Sequence, residues 1–347
     1  MKLKSLKQLA ILGIVAFAII TQIGCSNEVS KEEPISKTDY CLNTVCEISV
    51  YGMDEAEADE ILKGAFKEIR PYEKMLSKTI EGSDVDRINR AQGEPVKVSD
   101  DTYELVKEGI EMSGLSDGKF DITVGALTDL WDFQSESPRV PDKKAIKEAI
   151  RTVDYRAIEI DDENEISLSK EGAKIDLGAI AKGYIADRTA EYLENNGVTK
   201  AVVNLGGNIV AIGTKPDGSR WNIGVERPYS DRSDIIGSVE VEDTTVVTSG
   251  VYERMFELDG VIYHHILDPA TGYPADTDVE AITVVAKKGN SELCDGLSTT
   301  CLMLGKDKAI KLIEKLKAEN PQLELNAVII DKDDKIYKTD GFNINLK

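Results

Sequence analysis

Histidine, cysteine, basic charge and long apolar runs are all scarce in this 347-residue sequence. The two histidines are neighbours, His264 and His265. Imidazole chemistry near neutral pH is thereby confined to one stretch, Tyr263-His264-His265-Ile266-Leu267-Asp268-Pro269-Ala270-Thr271-Gly272. Val261, Ile262 and Tyr263 favour a strand, while Asp268-Pro269 and Thr271-Gly272 are turn chemistry. The stretch therefore reads as a strand delivering a base to a tight turn. On residue types alone, a surface imidazole at a strand end explains it equally well.

Lysine and arginine number 42 against 63 acidic residues, a net charge of −21. Such a surface repels nucleic-acid phosphates and anionic lipid headgroups, so no nucleic acid is expected as a partner. An anionic ligand would need a local metal or helix N-termini. At 41% hydrophobic and 30% charged, the composition excludes a disordered chain. No repeat is visible, and no linker rich in proline or glycine divides the sequence.

The one long apolar run, Leu9 to Ile20, follows Lys2, Lys4 and Lys7. It is too short to span a bilayer as a helix and suits a signal peptide. Gln22-Ile23-Gly24-Cys25 then resembles the lipobox of bacterial lipoproteins, in which Cys25 would be lipidated and become the mature N-terminus. Residues 1–24 are read as signal peptide, 25–37 as lipidated N-terminus and tether, and 38–347 as the folded domain. The expected location is outside the cytoplasm, lipid-anchored to the outer face of the cytoplasmic membrane or the periplasmic side of a membrane.

Four cysteines follow Cys25: Cys41, Cys46, Cys294 and Cys301. Five residues apart on one strand, Cys41 and Cys46 would face opposite sides. Cys294 and Cys301 would sit two turns apart on a helix. Buried free thiols are expected.

Alternation predicts a strand at 45–51, and a 3.6-residue period predicts an acidic helix from Asp54 to Leu76, with Pro71 placed to kink or divide it. Ser83 is expected to cap a helix through Asn89, and Ser99 one from Asp100 to Met112. A less regular segment spans Phe120 to Trp131, and a helix 142–151. Strands are expected at 156–160, 165–169, 200–205, 208–213, 221–226, 236–242, 245–249, 253–258, 261–266, 279–286, 325–331 and 335–339. Helices are expected at 178–196, 290–303 and 306–318. The fold class is α+β, a mostly antiparallel sheet region packed with helices as one unit.

Four further stretches carry chemistry. Asp176-Leu-Gly-Ala-Ile-Ala-Lys182-Gly183 places a carboxylate before a small-residue helix start that suits a phosphate, with Lys182 in reach of the same ligand. Helix capping by Asp176 accounts for it as well. Asn204-Leu-Gly-Gly-Asn208 lies between apolar strands and is equally a hairpin turn. Thr248-Ser249-Gly250-Val-Tyr-Glu253-Arg254 sets hydroxyls at a strand end. In Asp295-Gly-Leu-Ser-Thr299, Asp295 and Thr299 share a helix face, and oxygen-only donors select a hard ion such as magnesium. A polar first turn is the plainer account.

Taken together, these stretches with His265-Ile-Leu-Asp-Pro-Ala-Thr-Gly-Tyr-Pro274 resemble the ApbE family of FAD:protein FMN transferases, from about residue 38 to the end. Ser116 to Gly125, Leu130-Trp131 and Ser83 to Asn89 support the likeness. The family's Met-Gly-Thr is here Leu42-Asn43-Thr44, the loop Leu76 to Thr79 is atypical, and His264 is an extra beside the family's histidine. The resemblance implies a single ApbE-like, T-fold-like unit that moves the FMN moiety of FAD onto a threonine hydroxyl of an acceptor protein, releasing AMP. It implies a magnesium ion on Asp295, Thr299 and the Ala179 carbonyl, and His265 as catalytic base. It implies FAD contacts at Leu42, Thr79, Ala126, Leu127, Thr128, Asp176, Lys182, His265 and Ile266. Implied partners are FAD, acceptor flavoprotein subunits of membrane redox complexes, and the membrane through the lipid anchor. Hydrolysis of FAD to FMN and AMP, or FAD binding without catalysis by a lipoprotein, are the alternatives. The stretch 295–301 also resembles the family's acceptor motif, and is read as the metal site.

Overall fold

The computed structural model describes residues 33–230 and 234–347. Cys25, its lipobox and the apolar run before it lie outside the described residues. Among those described, no helix is long and apolar enough to cross a membrane.

The first half runs β1 (Ile35–Cys41), β2 (Thr44–Val50), α1 (Glu55–Leu76), α2 (Asp84–Arg90), β3 (Val96–Lys97), α3 (Asp100–Leu115), α4 (Gly125–Trp131), α5 (Lys143–Ile150), β4 (Ile158–Ile160), β5 (Glu165–Leu168) and α6 (Ala181–Asn195). Then follow β6 (Ala201–Leu205), β7 (Asn208–Ile212), β8 (Trp221–Glu226), β9 (Ile235–Val241), β10 (Thr244–Gly250), β11 (Met255–Leu258), β12 (Val261–His264) and β13 (Val279–Lys287). The chain closes with α7 (Ser291–Leu304), α8 (Lys306–Glu319), β14 (Asn326–Asp331), β15 (Ile336–Lys338) and β16 (Asn345–Leu346).

The framework is an eight-stranded sheet in the order β1-β2-β6-β7-β10-β13-β14-β15. Every paired strand in it is antiparallel to its neighbours, as the α+β reading expected. Both faces of its centre are covered. Ile282, Val284 and Ala286 of β13 join the helix-packed core, whereas Ala281 and Val285 face Trp221, Val225, Val239 and Val241 of a second sheet, β16-β9-β8. That double burial explains why β13 reads as a nearly continuous apolar run instead of alternating.

Several boundaries differ from expectation. Residues 35–37, assigned to the tether, are the start of β1, where Ile35 pairs with Val50 and Lys37 with Ile48. Cys41 and Cys46 lie on separate strands joined by the two-residue turn Leu42-Asn43, both at positive φ, 54° and 57°. They share an inward face, and Cys46 Sγ lies 3.6 Å from the Cys41 carbonyl oxygen. All four described cysteines are buried free thiols, as expected. Pro71 lies inside α1 without dividing it. Ser83 and Ser99 cap α2 and α3, each oxygen accepting from the third residue on, Asp86 and Thr102. The irregular segment before residue 131 contains α4, too short for its period to register in the sequence.

Candidate active site

A cavity of about 650 Å³ opens where α6, α7, the end of β10, the β1–β2 turn and the segments flanking β11 and β12 converge. That volume lies within the roughly 300–1,000 Å³ usual for ligand sites. Leu42, Thr79, Thr128, Asp176, Ala179, Lys182, His265, Ile266, Asp295 and Thr299 all line it. The side chains of Ala126 and Leu127 do not. Leu127 is fully buried and Ala126 packs with it against a satellite cluster around Trp131, because α4 turns that face away from the cavity.

Asp176 is not a helix cap. Residues 177–180 form a turn, with Ile180 N–H donating to Leu177 O at 3.0 Å, and α6 begins only at Ala181. Asp176 Oδ1 accepts from Gly178 N–H at 2.9 Å, while Oδ2 accepts from the Thr128 hydroxyl at 2.8 Å. Asn89 sets the position of this loop. Its amide donates to Ile175 O at 2.9 Å and accepts from Ile175 N–H at 2.7 Å, replacing a strand neighbour.

The cation beside Asp176 is Lys78, which the sequence reading passed over. Its ammonium donates to Thr128 Oγ1 at 2.6 Å and Asp129 Oδ1 at 2.7 Å, and stands 3.3 Å from Asp176 Oδ2. Burial alone would lower its pKa, but Asp176 and Asp129 outweigh that and hold it above the ordinary lysine value. The only signal in the sequence was a lysine in the atypical loop after α1.

Lys182 points elsewhere, to Asp295, with Nζ at 3.3 and 3.5 Å from the two carboxylate oxygens. Gly183 N–H donates to Asp295 Oδ2 at 3.0 Å. That contact requires glycine, since a Cβ at 183 would lie 2.2 Å from Ser291 O at the start of α7. Asp295 is 2% exposed, and burial raises its pKa against the opposing pull of Lys182. One turn along α7, Thr299 Oγ1 lies 3.5 Å from Ser249 Oγ, which also bonds Ser298 Oγ at 2.7 Å. Ser249, at the end of β10, is thus tied to α7.

These residues fit a hard divalent ion. The Asn208 amide nitrogen stands 3.5 Å from Asp295 Oδ1, and its own side-chain oxygen is buried without a hydrogen-bond partner. Carboxylate, hydroxyl and the Ala179 turn all offer oxygen, the donor that magnesium prefers. Among the described residues no cluster of three His, Cys, Asp or Glu side chains could hold a metal. An ion here would therefore rest on one carboxylate, neutral oxygens and the ligand's own phosphates.

His265 follows β12 directly. Its Nδ1 lies 3.2 Å from the Arg254 carbonyl oxygen, which only accepts, so Nδ1 carries the proton and Nε2 keeps its lone pair. Burial, then the charge of Arg254, pushes its pKa down to about 3, keeping the ring neutral at physiological pH. His264 is structural: its Nε2 lies 3.2 Å from Ala275 O, fastening the loop that follows. Trp131 Nε1 donates to Gly272 O in that loop at 2.8 Å, and Lys119 pairs with Asp268 at 2.9 Å. Glu253, within the stretch 248–254 whose hydroxyls drew attention in the sequence, also lines the cavity.

Fold and cavity together define a known class, and the chain belongs to the ApbE family, whose sequence profile matches residues 42–323. It is 33% identical over 317 residues to an FAD:protein FMN transferase of Treponema pallidum, covering 87% of each chain. An FAD:protein FMN transferase of Klebsiella pneumoniae is 37% identical over 260 residues, covering 74% of this chain and 78% of that one. Among solved structures, the ApbE protein of Thermotoga maritima superposes with a TM-score of 0.78 at 34% identity, covering 89% of this chain and 97% of that one. The apo flavinyl transferase ApbE of Pseudomonas stutzeri gives 0.75 at 28% identity, covering 89% and 95%.

Proposed function

We propose that this protein is an enzyme that transfers the FMN moiety of FAD to an acceptor protein, with a threonine hydroxyl as nucleophile and AMP as leaving group. The observation that carries this reading is the presence of His265, Asp295 and Thr299 on the wall of one cavity.

Asp295, Thr299 and the Ala179 carbonyl would hold a magnesium ion, which supplies charge neutralisation at the diphosphate. The N–H groups of Gly178, Ile180, Ala181 and Gly183 already donate within the protein, to Asp176, Leu177 and Asp295, so the metal would carry most of the diphosphate's charge. Asp176, fixed by Thr128, Lys78 and Gly178, orients the dinucleotide together with Leu42, Thr79 and Ile266. His265 Nε2 takes the threonine proton as the new oxygen–phosphorus bond forms to the FMN phosphate. The bridging oxygen–phosphorus bond breaks and its electron pair leaves with AMP. A neutral, oriented imidazole contributes about 10²–10⁴-fold.

The test is incubation with FAD, magnesium and an acceptor flavoprotein domain. A flavin-fluorescent acceptor band with equimolar AMP is expected. FMN and AMP without that band would mean hydrolysis, and intact FAD would mean a binding protein. Asp295→Ala should abolish turnover, and full activity in that variant would remove the metal assignment.

We also propose export with lipid attachment at Cys25, which would place the enzyme beside membrane redox complexes. Cys25→Ser should shift the protein from the membrane to the soluble fraction and abolish palmitate labelling.

A further inference from the structure

We propose that the acceptor protein docks on the β11–β12 hairpin, whose base frames the cavity and whose tip is apolar and uncovered. The proposal rests on the transferase reading above.

Asp259 and Gly260, at φ 52° and 76°, make the two-residue turn. Among the described elements β11 and β12 pair only with each other, so each keeps an outer edge with backbone groups outside any ladder. Leu258 and Val261 oppose each other at the tip, 43% and 48% exposed. Met255 and Ile262 lie on the other face, 43% and 47% exposed. An uncovered ribbon with large apolar side chains on both faces is an association surface.

The register decides where that surface leads. Leu258 and Val261 lie on the same face as Phe256 and Tyr263, which pack on Trp131. Phe133, stacked on the same indole, lines the cavity. An apolar track therefore connects the hairpin tip with the cavity rim.

The hairpin's two ends are also cavity wall, Arg254 on one side and His265 on the other. The Arg254 carbonyl holds His265 through both its backbone N–H at 3.0 Å and Nδ1. A protein that brings a hydroxyl to Nε2 must pass this base, and clasping the tip would steady the imidazole that receives it. A lipid surface fits less well, because Glu257 and Asp259 flank the apolar tip and repel anionic headgroups. The acceptor chemistry that matches is an apolar, non-acidic surface flanking the threonine.

The experiment uses Leu258→Thr/Val261→Thr, which keeps strand propensity and removes apolar area, and Ile262→Lys on the opposite face. A purified acceptor flavoprotein subunit and FAD are the substrates. In both variants the KM for acceptor should rise at least tenfold, with kcat at saturating acceptor and the affinity for FAD unchanged. An unchanged acceptor KM in variants that melt like the wild type overturns the proposal. So does loss of self-association in sedimentation, or of vesicle binding, with acceptor KM intact. If the wild type releases AMP and FMN without labelling the acceptor, the transferase reading itself falls and takes this one with it.

Discussion

Lys182 and Gly183, adjacent at the start of α6, both address the buried carboxylate of Asp295, one through its ammonium at 3.3 Å and the other through its backbone N–H at 3.0 Å. The backbone contact survives any change at position 182, whereas the charge does not. Lys182→Met should therefore leave Asp295 in place but unneutralised in the absence of ligand. Turnover is expected to fall by about 10²-fold, from loss of a single charged contact near the reacting phosphates. A crystal structure of that variant with an unmoved Asp295 would separate charge from position.

The depressed pKa of His265 fixes the acid side of the pH profile. Burial disfavours the imidazolium, so the base form persists well below the ordinary histidine range, down to about pH 3. The rate constant kcat/KM for FAD should show no acid limb near pH 6.5 attributable to this residue. His265→Ala should lower transfer by about 10²–10⁴-fold while FAD still binds. A wild-type limb at 6–7 that vanishes in the variant would contradict the burial argument.

Lys78 predicts a binding effect. Lys78→Met removes the charge that holds Asp176 and Thr128 together. The KM for FAD should rise about tenfold, the size expected for one charge-assisted hydrogen bond, with a smaller change in kcat. Lys78→Arg should recover part of the loss.

In the first turn of α7, Glu292 faces Glu108 and Asp187. Burial first, then these neighbours, pushes its pKa up to about 8, and burial brings Asp187 up to about 6. A raised carboxyl binds more protons folded than unfolded. The stability it contributes is whole below its unfolded pKa and is lost as pH rises through the folded value. Glu292→Gln should therefore stabilise the protein by about 1–2 kcal/mol at pH 9 and hardly at all at pH 5. Thermal melts at both pH values measure the difference.

Leu127 separates core from cavity. Fully buried beside Trp131, it should cost about 2–5 kcal/mol on truncation to alanine. FAD affinity, determined below the lowered melting temperature, should not change.

Much of this arrangement was legible from the sequence because short-range rules governed it. Ser83 and Ser99 announced α2 and α3, and Asp295 and Thr299 share a face through helical spacing alone. The strand order was not legible, since pairing β2 with β6 and β10 with β13 depends on contacts far apart in the chain. The destinations of the two lysines were also hidden. Spacing placed Lys182 near Asp176, but the turn at 177–180 redirects it to Asp295 and leaves Asp176 to Lys78. β1 escaped notice because its inward positions include the charged Lys37 and Asp39, which pair with Asp59 and Arg70 of α1, so alternating burial leaves no alternation of residue type.

At Gly183 the two helices α6 and α7 meet with room for nothing larger than hydrogen. The separation between lysine and carboxylate is consequently gauged by main chain resting on main chain, not by side chains that could repack. Even alanine there should wedge the helices apart and dismantle the centre while most of the fold endures. The floor of this cavity has a single admissible occupant at that point.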